Sequence, residues 1–173
     1  MMQTRTINIW LDNYDDIFSD FDPRLYSERA LSDDFLMVVR KVCNETNDSA
    51  TEFVLQLPAT NRNTEAELII IKRLHTHIKQ NYQRFKNLKK SIRKRATFAL
   101  FIGFSLMLGA SCLSSLNSRN FLLNALLILF EPTGWFLVWY GLDEVFYRTR
   151  QNKNELEFYS IISKSKISFS SIN

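Results

Sequence analysis

The sequence predicts a membrane protein: two transmembrane helices forming a helical hairpin, with a small cytosolic α/β domain built from N-terminal and C-terminal segments. Three observations predict it. First, 23 residues without a charge lie between Arg95 and Arg119, and the next 23, residues 120–142, hold only Glu131. At about 1.5 Å rise per residue each window reaches about 34 Å as a helix, against roughly 30 Å of bilayer hydrocarbon. Second, residues 72–95 contain ten Lys or Arg and no acid. Third, short apolar alternations stand at both ends of the chain, outside the two windows.

The elements follow in order. Ile7, Ile9 and Leu11 alternate with polar neighbours, as in a strand with one buried face. An irregular acidic segment comes next, in which Phe18, Phe21 and Tyr26 are placed to pin the loop to the core. Ser32 is a fitting N-cap, and Asp33 and Asp34 follow where acids favour the helix dipole. Phe35, Val39, Val42 and Cys43 form the buried stripe of that helix. The run Glu-Phe-Val-Leu-Gln-Leu-Pro is a second strand, stopped by Pro58. With a helix between them, the two strands are expected to pair in parallel.

From Thr64 the pattern is helical. Ile71, Leu74, Ile78, Phe85, Leu88 and Ile92 follow a near-heptad with Asn81 at its one polar position, which predicts self-association along a stem. No Gly or Pro interrupts residues 60–101, so the stem is expected to run into the first span as one helix. Beyond the second span a helix is expected from Asp143 onward, and Lys-Ile-Ser-Phe-Ser alternates as a final strand. Two strands alone are marginal, so this last one is expected to complete the sheet. The resulting organisation is a cytosolic head at 1–71 and a basic stem at 72–95. The spans follow at 96–118 and 120–142, and residues 143–173 return to the head.

Charge sets the expected orientation. Positive flanks stay cytoplasmic, so both termini are placed in the cytosol of a bacterial-type inner membrane. Arg148, Arg150 and Lys153 follow the second span, whereas the connection between spans offers only Arg119. Lys86, Lys89, Lys90, Arg93, Lys94 and Arg95 are the candidates for contact with anionic lipid headgroups. Nucleic-acid binding is set aside, because no recognised RNA or DNA module accompanies the charge.

No catalytic residue, cofactor or metal site is predicted. His75 and His77 stand two apart on a helix and diverge. Asp12, Asp15, Asp16, Asp20 and Asp22 lack the central Gly and closing Glu of a calcium loop, and are instead a candidate docking surface for a protein partner. In the first span Gly103, Gly109 and Cys112 are candidates for close helix packing. Glu131 lies near the middle of the second span, and a carboxylate there costs roughly 2.5–3.5 kcal/mol to insert. It should therefore face protein or water. Desolvation favours the neutral acid, so Glu131 is expected to be largely protonated at rest and to donate a hydrogen bond to Ser105 or to the carbonyl of Ile128, which Pro132 deprives of a helical donor. Asn124 extends the polar seam, and Pro132 with Gly134 marks a candidate kink. The function expected is a non-enzymatic anchor or signal transducer whose head binds a cytosolic protein. The alternative is a homo-oligomeric membrane effector or channel that alters permeability on a cytosolic signal, as in a defence or toxin-like system.

Overall fold

The computed structural model describes residues 5–45, 50–115, 121–148 and 153–172. Its elements are β1 (Arg5–Trp10), α1 (Asp33–Glu45), β2 (Ala50–Pro58), α2 (Thr64–Ser115), α3 (Phe121–Asp143), α4 (Lys153–Lys164) and β3 (Lys166–Ile172). Short 3-10 turns stand at Tyr14–Ile17 and Ala59–Asn61, and a π-turn at Glu144–Arg148 follows α3. The chain forms two compact units, Met1–Arg84 with Glu155–Asn173 and, separately, Phe85–Asn154. Arg119 and Arg150 lie outside the described residues.

The first unit is a three-stranded parallel sheet in the order β1-β2-β3. Ile7 pairs with Phe53 and Phe53 with Ile167, while Ile9 pairs with Leu55 and Leu55 with Phe169. Side chains alternate along a strand, so these pairings stack two apolar rows on one face. Helices cover that face. Phe35 and Val39 from α1, Leu74 and Ile78 from α2, and Phe158 and Ile162 from α4 are buried, and they close around an apolar gap of about 30 Å³. Arg40 ties α1 to α4, pairing with Glu155 at 3.0 Å and lying over the Phe158 ring. The N-terminal and C-terminal segments thus meet in one sheet.

Several expectations change against the structure. The acidic segment is folded rather than irregular: Asn13 and Asp16 form a capping box around the Tyr14–Ile17 turn, and Phe18 bridges to Leu31. Phe18 is buried and stacks on Tyr26, but Phe21 is 98 % exposed and pins nothing. The heptad is also largely consumed within the chain. Leu74 and Ile78 pack under the sheet, Ile92 is buried in the second unit, and Asn81 bonds His77, leaving Leu88 as its outward-facing large residue. Because Leu74 and Ile78 belong to the core, the first unit extends past residue 71 to Arg84. The expected helix from Asp143 onward is broken at its start by the π-turn.

The second unit is built on α2 and α3. Thr64–Ser115 and Phe121–Arg148 are long and apolar enough to cross a membrane, and only 22 % and 11 % of their most apolar windows are buried. Phe98, Phe101, Phe104 and Leu108 of α2, like Leu122, Ile128, Leu129 and Phe136 of α3, face outward.

Candidate functional site

Glycines set how closely α2 and α3 approach. A β carbon on Gly103 would lie 2.9 Å from the carbonyl oxygen of Gly134 and 2.9 Å from Val138. At Gly141 it would lie 3.0 Å from the carbonyl oxygen of Ala96 and closer still to Leu100. Only hydrogen fits at these crossings, as in other close-packed apolar helix pairs. At Gly109 the nearest atom would be in Phe130, at 4.0 Å. The helices therefore grip at Gly103, Gly134 and Gly141 and diverge toward Ser115.

A cavity of about 540 Å³ lies where they diverge, lined by Glu131 and Leu127 from α3 and by Ala110, Ser111, Ser114 and Ser115 among the α2 residues. Glu131 is exposed, and among the described residues its carboxylate has no hydrogen-bond or ion-pair partner. α3 continues through Pro132 without a break, so the missing N–H acts on the Ile128 carbonyl without ending the helix. Gly134 serves as a contact point, buried against Gly103 and Met107.

Ser105 does not meet Glu131. Its hydroxyl donates to the Phe101 carbonyl at 2.8 Å within α2, and its side chain faces outward. Asn124 is exposed and does not line the cavity. Cys112 is exposed, so the face holding Ser105 and Cys112 is not the one α3 packs against; the rotation of α2 is fixed by Gly103 instead. Lys86, Lys89, Lys90, Arg93, Lys94 and Arg95 are all exposed on α2.

In the first unit the five acids split by role. Asp16 accepts from the N–H groups of Asp12 and Asn13, Asp15 pairs with Arg29, and Asp22 takes Arg24 and the N–H of Ala30. The Arg24 guanidinium and the Ala30 N–H hold the Asp22 carboxyl far below the usual carboxylate range. Asp12 and Asp20 are exposed. The loop so latched presents Phe21 and Leu25, 98 % and 81 % exposed. Arg73 secures it to α2 by donating to the Arg29 carbonyl at 3.0 Å.

Two polar clusters escaped the sequence reading. At the carboxyl end of β1 and β2, where open α/β sheets commonly place ligands, Glu67 is buried. Arg62 donates to both its oxygens at 2.8 and 2.9 Å, and the Tyr14 hydroxyl donates to it at 3.0 Å. Arg62 lowers the Glu67 pKa, and burial raises that of Tyr14. This position is filled by an internal ion pair. In the second unit Glu144 is 2 % exposed, accepting from the Tyr140 hydroxyl at 3.0 Å and pairing with Arg148 at 3.1 Å. The four-residue spacing of Tyr140, Glu144 and Arg148 was the available signal, and a π-turn at the cluster is a feature enriched at functional sites.

No family model matches the chain, and no curated protein and no solved structure matches it. The geometry alone carries the functional reading. Among the described residues no group of three or more His, Cys, Asp or Glu could hold a metal ion.

His77 supplies a pH-dependent element. Burial, helped by the positive charge of Arg73, holds its pKa below the usual histidine value, and Asn81 Nδ2 lies 3.0 Å from Nε2. With the folded pKa below the unfolded one, stability is full above about 6.5 and falls as pH drops through that value. Denaturant unfolding at pH 7.5 and pH 5.5 should show wild type losing more stability on acidification than His77→Gln. Equal losses would mean His77 contributes nothing to the slope.

Proposed function

We propose that the chain is a two-span inner-membrane protein, with both termini cytosolic, whose α/β head binds a protein partner and couples it to the membrane without catalysis of its own. The observation that carries this reading is the sheet. With β1 and β3 in one parallel sheet, the two ends of the chain must lie on one side of any membrane that α2 and α3 cross. The ten basic residues at 72–95 make that side cytoplasmic under the charge rule, and the exposed Lys86, Lys89, Lys90, Arg93, Lys94 and Arg95 suit anionic headgroups.

Coupling rests on α2, one helix that supplies Leu74 and Ile78 to the head core and Ala96, Ala99 and Gly103 to the apolar pair. The partner surface is best placed at the latched loop. Three of its acids are used internally, whereas Phe21 and Leu25 stand outward as rigid apolar anchors of the kind that dominate binding energies.

Reporter fusions at both termini test the placement. Both should report cytosol, and an external signal from either end would overturn it. A second reading, an oligomeric effector or channel, is favoured by Glu131 and the serines beside it, since lipid satisfies neither. Ion flux through liposomes carrying the purified chain, absent from protein-free liposomes, would move the assignment to that reading.

A further inference from the structure

We propose that the cavity between α2 and α3 is a water-filled, cation-selecting vestibule within the membrane, with Glu131 as its charge and Ser111, Ser114 and Ser115 as its hydroxyl lining. It rests on the two helices crossing a bilayer and goes beyond the coupling reading, which assigns this space nothing. The argument begins with the packing. Gly103, Gly134 and Gly141 close the pair at one end, at Gly109 a β carbon would meet only Phe130 at ordinary contact distance, and the space opens beyond, between Ser111 to Ser115 and Glu131. Ser115 donates to the Cys112 carbonyl at 2.7 Å, but hydrocarbon filling that wedge would leave the Glu131 carboxylate and the Ser111 and Ser114 hydroxyls facing lipid, which costs free energy for each group left unsatisfied. Water satisfies them all. A space of about 540 Å³ holds on the order of ten waters.

Polar chemistry then decides the occupant. Among the described residues that line the space, every polar side-chain atom is oxygen and Glu131 carries the one formal charge. Carboxylate and hydroxyl oxygens suit small hydrated cations, and an ionised carboxylate repels anions.

Charged thiol reagents read this directly. In a Cys43→Ala, Cys112→Ala background, Ser111→Cys and Ser114→Cys in proteoliposomes should react with impermeant methanethiosulfonates. Leu108→Cys, on an outward apolar position, should not. After correction for intrinsic reactivity, the trimethylammonium reagent should react about tenfold faster than the sulfonate one, as expected for opposite charges a few ångströms from one carboxylate in water. Glu131→Gln should bring the two rates together, and Glu131→Asp should keep them apart. Unreactive Ser111 and Ser114 cysteines that label only after denaturation would overturn the vestibule. Reaction without charge preference, or with a preference that Glu131→Gln leaves intact, would overturn the role of Glu131. Rapid labelling of Leu108→Cys would show that the membrane placement itself has failed. Charge-selective labelling without ion flux leaves the vestibule standing and the channel reading not.

Discussion

Gly103→Leu is expected to prevent α2 and α3 from closing on one another. Its β carbon alone would sit 2.9 Å from the Gly134 carbonyl oxygen and 3.0 Å from the Val138 nitrogen, and neither backbone atom can rotate away. Overpacking by a single methylene costs about 1–3 kcal/mol, so leucine here should cost at least the upper figure. For a chain of this size about 3 kcal/mol corresponds to roughly 6–12 °C in melting temperature. Gly109→Leu is the matched control, because a β carbon there first meets Phe130 at 4.0 Å. Melting of the detergent-solubilised chain should separate the two variants clearly. Equal effects would show that the Gly103 crossing does not set the approach of the helices.

Truncation after Ser165 is expected to unfold the head altogether. It removes β3, whose pairing with β2 runs from Glu52↔Lys166 to Pro58↔Ile172. Net hydrogen-bond contributions of about 1 kcal/mol each, with about 2 kcal/mol for burying Ile167, give a loss of roughly 5–10 kcal/mol. That matches the whole stability of a typical domain, about 5–15 kcal/mol. Limited proteolysis should cut the truncated head rapidly within β1 and β2 while the full chain resists. Unchanged resistance would mean that β3 is dispensable.

The elements that were legible in the sequence share one property: their signals are local and periodic. Alternation at Ile7, Ile9 and Leu11 and at Phe53, Leu55 and Leu57 marks the strands, and the two charge-free windows mark the apolar helices. What escaped depends on how elements are rotated against each other. Ser105 and Ser111 are equally plausible partners for Glu131 until the Gly103–Gly134 crossing fixes which side of α2 faces α3. Likewise the five acids of the first loop look alike in sequence. Backbone N–H groups of Asp12, Asn13 and Ala30 then claim Asp16 and Asp22, and Arg29 claims Asp15. The heptad reflects a related point: an apolar stripe records that something covers it, and for Leu74 and Ile78 the cover is the sheet of the same chain. Glu144 had a four-residue rhythm with Tyr140 and Arg148, but no local pattern announces that its carboxylate is buried or that a π-turn begins there.

The order of strands along the chain has a consequence for how the protein is made. β1 and β2 leave the ribosome before α2 and α3, yet the strand that completes their sheet follows both of those helices in the chain. At about 5–20 residues per second, the nascent head waits several seconds with the Leu55 and Leu57 edge unpaired, and in the proposed topology both spans must enter the bilayer during that interval. A chain that inserted only one span would deliver β3 to the wrong side, and its head could never close. In that topology, completion of the sheet would double as proofreading of membrane insertion. Chains that fail it would expose an open strand edge to the proteases and chaperones of the cytosol, whereas correctly threaded ones would conceal it.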